Sequence, residues 1–201
     1  MQRYIAFISG LPLGRNAVKP EIIQHLFQRL GFLDVQTFPS TDTVGFETAP
    51  VGVIGPLEAQ ISRHLRRSLN VEGIWTFIRT PKEITEIVRD IPFPSDDVNS
   101  EGNSLFVVLV GDEPDAHTAK QLRIRRSEVD ELRVAGKEIY WLRRPSDDPV
   151  APPPLSEILG VHATVRSFHT MMRLAEKYGT GARPKRAASS DDATESERSR
   201  P

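Results

Sequence analysis

Cysteine is absent from this chain of 201 residues, which excludes disulfide scaffolds, thiolate metal sites and cysteine nucleophiles. No apolar run reaches the roughly 20 residues that a membrane-spanning helix needs, and no leader-like segment precedes the first strand pattern. We therefore expect a soluble cytoplasmic protein without membrane contact. Neither sign of charge is in excess, because 26 Lys and Arg face 27 Asp and Glu. Nucleic-acid binding needs a positive surface, so the composition argues against a nucleic-acid partner.

Several motifs of catalysis and cofactor binding are missing as well. No glycine-containing loop continues into the Gly-Lys-Ser/Thr of a phosphate-binding loop. No serine lies in a nucleophile elbow, and no His-x-x-x-His pair offers two ligands on one helix face. The sequence therefore predicts no cofactor, and it leaves open whether the protein is an enzyme.

Changes in composition divide the chain. Residues 92–103 are rich in Pro, Ser, Asp and Asn and are predicted to form a linker. Residues 179–201 contain no Leu, Ile, Val or aromatic residue. Such a segment buries too little apolar surface to offset its ordering entropy, so a disordered tail is predicted there. The remaining stretches, 1–91 and 104–178, are the two predicted subdomains.

Hydrophobic periodicity alternates between strand and helix in the same order in both subdomains. Leu57, Ile61 and Leu65 recur at four-residue spacing, which indicates an amphipathic helix. Residues 80–83, Thr-Pro-Lys-Glu, have the form of a capping box, and strand patterns on either side of Ala135-Gly136 indicate a hairpin. Each half reads β-α-β-β-α-β-α. The predicted fold class is α+β, with two ferredoxin-like (α/β-plait) halves and a disordered C-terminal tail.

Several short segments between Tyr4 and about Tyr178 are typical, in this order and spacing, of one bacterial family. They are Tyr4-Ile5-Ala6-Phe7, Leu30-Gly31-Phe32, Val35-Gln36-Thr37-Phe38, Pro92-Phe93-Pro94, Gly136-Lys137-Glu138-Ile139-Tyr140, Leu159-Gly160-Val161, Ala163-Thr164-Val165-Arg166 and Leu174-Ala175-Glu176. The chain resembles domain of unknown function family 1697, as a divergent member. The resemblance implies a pair of ferredoxin-like subdomains and no established activity.

The chain departs from the family pattern at three polar segments. Members typically carry Arg-Gly-Ile-Asn-Val-Gly-Gly where this sequence has residues 9–15, Ser-Gly-Leu-Pro-Leu-Gly-Arg. Their Gln-Ser-Gly-Asn turn is replaced by residues 40–43, Ser-Thr-Asp-Thr, and their Arg-Asn-Trp by residues 166–168, Arg-Ser-Phe. If these segments form the family's site, the site is altered or lost in this chain.

These three segments all fall at the ends of predicted elements, and they define our hypothesis for a site. Backbone N–H groups of a glycine-containing loop can cradle an anion, and arginine adds charged donors. We predict a non-catalytic module that binds a small anionic ligand or a protein partner, with its oligomeric state open. The predicted ligand-binding residues are Gly10, Gly14, Arg15, Asn16, Ser40, Thr41, Thr43, Arg166 and Thr170. A plain connecting loop, with the two glycines in tight turns, is the favoured alternative for the first segment.

An enzyme is the alternative function. It would act on a phosphorylated or nucleotide-like substrate, with His169 as general base, and it requires His169 to face the same cleft as Arg15 and Arg166.

Two further clusters have simpler explanations. Asp112, Glu113, Asp115 and His117 could ligate a metal, but acids are also what the first turn of a helix favours, so no metal site is predicted. Two arginine groups are expected to be solvated helix faces rather than an RNA-binding surface. They comprise Arg63, Arg66 and Arg67 in the first half and Arg123, Arg125 and Arg126 in the second.

Overall fold

A computed structural model of the chain describes residues 1–12, 14, 17–38, 42–147 and 153–179. The first half contains β1 (Gln2–Ser9), α1 (Pro20–Arg29), β2 (Leu33–Phe38), β3 (Thr43–Thr48), α2 (Gly55–Leu69), β4 (Trp75–Arg79) and α3 (Pro81–Arg89). The second contains α4 (Ser95–Asn99), β5 (Ser104–Val110), α5 (Ala116–Ile124), β6 (Asp130–Ala135), β7 (Glu138–Arg143), α6 (Leu155–Leu159), β8 (Ala163–Ser167) and α7 (Phe168–Tyr178). The predicted tail, apart from Gly179, lies outside the described residues.

The strands form two four-stranded antiparallel sheets in a mixed α+β fold. The order is β2-β3-β1-β4 in one sheet and β6-β7-β5-β8 in the other. All of the described pairings are antiparallel, and the β2–β3 ladder shifts register between Leu33 and Gln36. The two halves therefore repeat both the order of elements along the chain and the order of strands in space.

Local sequence signals account for several of these elements. Thr80 Oγ1 accepts a hydrogen bond from Glu83 N, and Glu83 Oε2 accepts one from Thr80 N at 2.7 Å, which confirms the predicted capping box of α3. The tight turn between β6 and β7 uses Gly136 at φ +63°, as short hairpin turns require. The predicted linker contains the short helix α4, none of whose residues is buried.

Three apolar clusters fill the space around the sheets. One lies between the first sheet and the helices α1 and α2, and another between the second sheet and α5 and α6. The third joins the two halves. It combines Ile5 and Phe7 of β1 with Val107 and Leu109 of β5 and with the apolar sides of α3 and α7. Each sheet is therefore covered on one face by its own helices and on the other by the shared cluster.

Arg79 links the two halves through polar contacts and is only 2% exposed. Its Nε lies 2.6 Å from Glu138 Oε1, and its Nη2 donates to the carbonyl oxygens of Val110 at 2.9 Å and Lys137 at 3.2 Å. A buried charge is tolerated when it is both paired and hydrogen-bonded. The guanidinium meets that condition by joining β4 to the ends of β5 and β7.

Among the described residues, no helix combines the length and the apolar character needed to cross a bilayer.

Candidate anion-binding site

The candidate site is the corner where β1, the turn before β3 and β8 come together. Ile8 lies at its centre, because its N–H donates to Asp42 O at 2.8 Å and its carbonyl accepts from Arg166 Nη2 at 2.9 Å. The Ile8–Arg166 bond connects residues 158 positions apart in sequence. It brings the third of the predicted polar segments against the ends of the first two.

The guanidinium of Arg166 has only neutral hydrogen-bond acceptors among the described residues. Its Nη1 donates to Thr164 Oγ1 at 2.6 Å and to Val165 O at 2.9 Å, and its carbon lies 5.8 Å from the centre of the Phe7 ring. Its Nε is buried and has no hydrogen-bond partner there. Burial lowers the pKa of Arg166, although the charge of Asp42 acts in the opposite direction.

A small cavity of about 50 Å³ opens beside this corner. Its polar lining residues are Thr37, Asp42 and Thr43, and its apolar lining residues include Leu11 and Phe38. That volume holds a few water molecules, whereas sites for small molecules typically enclose about 300–1,000 Å³. Among the described residues, the cavity is therefore smaller than a typical small-molecule site.

A basic stripe on α7 runs beside the same corner. His169, Arg173 and Lys177 follow one another at four-residue spacing, which places them on one side of the helix, and all three are exposed. The guanidinium carbon of Arg173 and the Nζ of Lys177 each lie 5.2 Å from the centre of the Phe38 ring, at the end of β2. These cation–π contacts hold the stripe toward the turn before β3. The four-residue spacing could have predicted the stripe, but Arg173 and Lys177 were not among the expected site residues.

The other predicted site residues have varied surroundings. Thr43 is buried at the start of β3 and lines the cavity. Thr170 belongs to the beginning of α7, where its backbone N–H and its hydroxyl both hydrogen-bond to Ser167 Oγ. Gly10 and Gly14 both adopt positive φ angles, as tight turns require. Four predicted residues lie outside the described part of the chain: Arg15, Asn16, Ser40 and Thr41.

His169 is the second residue of α7 and is exposed. The hydrogen bonds of Arg166, in contrast, are directed to β1 and β8. No described contact joins the two side chains, so the role of His169 as a general base stays a prediction.

Of the acidic cluster before α5, Asp115 caps the start of that helix. Asp115 accepts a hydrogen bond from Thr118 N at 2.7 Å, and this bond holds the pKa of Asp115 below its ordinary value. Asp112 is fully exposed and lies 4.0 Å from Lys137 Nζ. Within the described ranges, no group of three or more His, Asp or Glu side chains is arranged to hold a metal ion.

The arginines on helix faces are largely solvated, with one exception. Arg63 and Arg67 are exposed, but Arg66 is partly buried because its guanidinium lies over the Trp75 ring, 4.8 Å from its centre. Trp75 in turn stacks on His162 with 3.6 Å between ring centres. Arg66 thus contributes to packing between the halves, which the expectation of a fully solvated face missed.

Comparisons with other proteins agree with the described fold. The solved structure of the conserved bacterial protein SP0830 from Streptococcus pneumoniae is similar, with a TM-score of 0.58 and 16% sequence identity, over 89% of this chain and 98% of that chain. At this identity the likeness concerns the fold alone. No curated protein matches the sequence. The family model described as "Protein of unknown function (DUF1697)" matches residues 1–140. The chain therefore belongs to the DUF1697 family.

Proposed function

We propose that this protein is a non-catalytic module that binds a small anionic ligand at the corner between β1, β3 and β8. The observation that carries the proposal is the Nε of Arg166, a buried donor without a partner among the described residues. Leaving a buried donor unsatisfied costs about 1–3 kcal/mol, and native proteins keep few such groups without a reason. A phosphate or carboxylate oxygen supplies the missing acceptor as a charge-assisted hydrogen bond.

The basic stripe supports an anionic ligand rather than a neutral one. Arg173 and Lys177 carry exposed cationic groups beside Phe38, which lines the cavity, and like charges in one place raise the local concentration of an anion. The predicted residues Arg15, Asn16, Ser40 and Thr41 belong to segments that border the cavity in sequence. In this proposal they belong to the ligand-binding site.

We also propose that each half is a ferredoxin-like unit. The strand order β2-β3-β1-β4, with one helix after the first strand and one after the third, supports this description. In such a unit the site lies at the end of the first strand, where the loop to the first helix begins.

Thermal unfolding of the full chain with nucleotides, sugar phosphates and inorganic phosphate tests the proposal. A ligand at about 100 times its dissociation constant stabilises the folded state by roughly 2.7 kcal/mol, which raises the unfolding midpoint by several degrees. We expect Arg166→Gln to abolish this shift, and Arg67→Gln, which removes an exposed arginine on α2, to retain it. Circular dichroism of both variants establishes that they are folded.

A panel without any shift, or a shift of equal size in Arg166→Gln, would overturn the proposal. Recovery of the ligand unchanged after incubation separates binding from catalysis. Conversion of the ligand that is lost in His169→Ala would instead establish the enzyme.

A further inference from the structure

The outer edge of β6 offers unpaired backbone groups. Along β6, the backbone N–H and C=O groups of successive residues alternate between pointing toward β7 and pointing away from the sheet. The bonds of Arg144 N to Val129 O and of Ser127 N to Asp130 O fix which residues face which way. Leu132 and Val134 consequently direct their N–H and C=O groups away from β7, and no described residue bonds to these groups.

The edge strands of the first sheet, β2 and β4, differ from β6 because side chains hydrogen-bond to their outward backbone groups. Along β4, Thr76 N donates to Ser62 Oγ at 2.9 Å and Ile78 N donates to Glu58 Oε1 at 2.7 Å, so side chains of α2 satisfy the free donors. Along β2, Gln24 Nε2 donates to Val35 O at 3.1 Å. Proteins usually blunt or cover sheet edges in such ways because open edges invite pairing with another chain.

A groove of about 420 Å³ follows the open edge of β6. Its walls are Arg123 of α5 and Arg126, which follows that helix, and Pro92 on the opposite side. Arg133 also lines the groove and stacks on Phe93 with 4.5 Å between the guanidinium carbon and the ring centre. The groove therefore combines free main-chain groups with three arginines.

Positive charge is in excess along this groove. Glu131 is the one carboxylate among the residues that line it, and that side chain is only 7% exposed. Its oxygens lie within 3.4 Å of arginine nitrogens from Arg126, Arg133 and Arg144. Although burial acts to raise it, hydrogen bonds from Arg133 and Arg144 hold the pKa of Glu131 below its ordinary value. One carboxylate thus faces more than one arginine, and Arg123 remains exposed beside it.

We propose that the β6 edge is a docking site for an extended acidic segment of a partner protein, which adds to the second sheet as a further strand. Main-chain hydrogen bonds to Leu132 and Val134 would provide the affinity, as in other cases of strand addition. Arg123 and Arg126 would select acidic side chains. A second copy of this chain is disfavoured, because pairing of two β6 edges would bring like-charged arginine groups together.

Amide hydrogen exchange of the full chain, measured by NMR, tests this proposal directly. The probe is a short peptide of alternating glutamate and threonine, and the matched control peptide has lysine in place of glutamate. We expect the amides of Leu132 and Val134 to exchange rapidly in the free protein. Saturation with the acidic peptide is expected to slow them roughly tenfold, equivalent to about one net hydrogen bond, and the lysine peptide to have no effect.

Three variants separate backbone pairing from charge. Val134→Pro removes an outward N–H without touching the ladder to β7, and we expect it to weaken binding of the acidic peptide about tenfold. Arg123→Glu is expected to weaken binding as well, whereas Arg125→Glu, an equal change at an exposed residue outside the groove, is not.

Several results would overturn the proposal. Equal binding of the two peptides would remove the preference for acidic segments, and full binding by Val134→Pro would remove strand addition. Protection of both amides in the free, dilute chain would identify a segment of the same chain as the occupant. Protection that rises with protein concentration would identify a second copy.

Discussion

Glu58 shows how one side chain can close a sheet edge at an electrostatic cost. Its Oε1 accepts the hydrogen bond of Ile78 N at the edge of β4, and this requires the carboxylate to lie partly buried. Burial raises the pKa of Glu58 above its ordinary value of 4.5, against the opposing effects of the Ile78 N–H and of the charges of Arg79 and Lys137. Closing the edge therefore places a charge where water solvates it less well.

This raised pKa predicts a pH dependence of stability. The folded chain holds the Glu58 proton more tightly than the unfolded chain, so the group adds stability below its ordinary pKa and loses that contribution as pH rises through the folded-state pKa. Glu58→Gln retains an acceptor for Ile78 N without a charge. We expect the stability of this variant, relative to the parent, to increase as pH rises from about 4.5 to 7, in urea unfolding curves measured at several pH values.

Asp90 provides a control because its pKa is shifted in the opposite direction to that of Glu58. A hydrogen bond from Arg89 lowers the pKa of this exposed carboxyl, so its contribution to stability is lost as pH falls. Asp90→Asn is expected to change the profile only weakly, since exposed pairs contribute little, and at the acidic end. A pH profile of Glu58→Gln that runs parallel to the parent's would contradict the assignment.

At the scale of elements, the loop after β1 approaches the segment before β4 closely at one point, between Gly10 and Gly73. Gly10 has φ +77°, and a Cβ on it would lie 2.1 Å from the carbonyl oxygen of Gly73, just before β4. Gly14 in the same loop has φ +66° with no atom within 4 Å of such a Cβ. The two positions share a left-handed backbone but differ in the space around it.

Substitution of Gly10 and of Gly14 is therefore expected to lower the free energy of unfolding by different amounts. Gly14→Ala incurs only the left-handed penalty of about 1 kcal/mol. Gly10→Ala adds a clash with backbone that cannot move without displacing β4, so we expect it to lower the free energy of unfolding by a further 1–3 kcal/mol, on the order of other overpacked sites. Urea denaturation of the two variants measures the difference. Equal losses would show that the Gly10–Gly73 contact relaxes freely.

Helices and hairpins could be predicted where the sequence pattern that indicates them lies within the element itself. The four-residue spacing of Leu57, Ile61 and Leu65 corresponds to α2, and Ala135-Gly136 marked the β6–β7 hairpin. α4 gave no such signal, because a helix of five residues without a buried face has no apolar period.

The geometry of the candidate site was less accessible to sequence reasoning. Arg166 was predicted as a ligand-binding residue, but its bond to Ile8 O, which spans the two halves, was not predicted. The ion pair of Arg79 with Glu138 likewise joins residues 59 positions apart. Contacts of this kind depend on how two sheets face each other, and no local period encodes that arrangement.

At the scale of the whole molecule, the shared apolar cluster ties the two halves together. Ile5 and Phe7 of the first half and Val107 and Leu109 of the second are fully buried against each other's sheets and against α3 and α7. Separation of the halves would expose these side chains to water, at about 25 cal/mol per Å² of apolar surface. Residues 1–91 and 104–178, predicted from sequence as subdomains, are thus expected to depend on each other for stability.

One cooperative unfolding transition follows from this dependence, and the two tryptophans can report it separately. Trp75 belongs to the first half and Trp141 to the second. In Trp141→Phe the fluorescence of Trp75 follows β4 and its contact with His162 of the second half, while far-ultraviolet circular dichroism follows the whole chain. We expect these two signals to share one urea midpoint. In Trp75→Phe, Trp141 fluorescence and circular dichroism are expected to share one midpoint as well. Trp141→Phe also removes the hydrogen bond from Trp141 Nε1 to Asp130 Oδ1. This loss lowers the urea midpoint of both signals in that variant, so the two midpoints can still be compared with each other. Separate midpoints in either variant would show that each half folds on its own, and that the cluster between them is a docking interface rather than a common core.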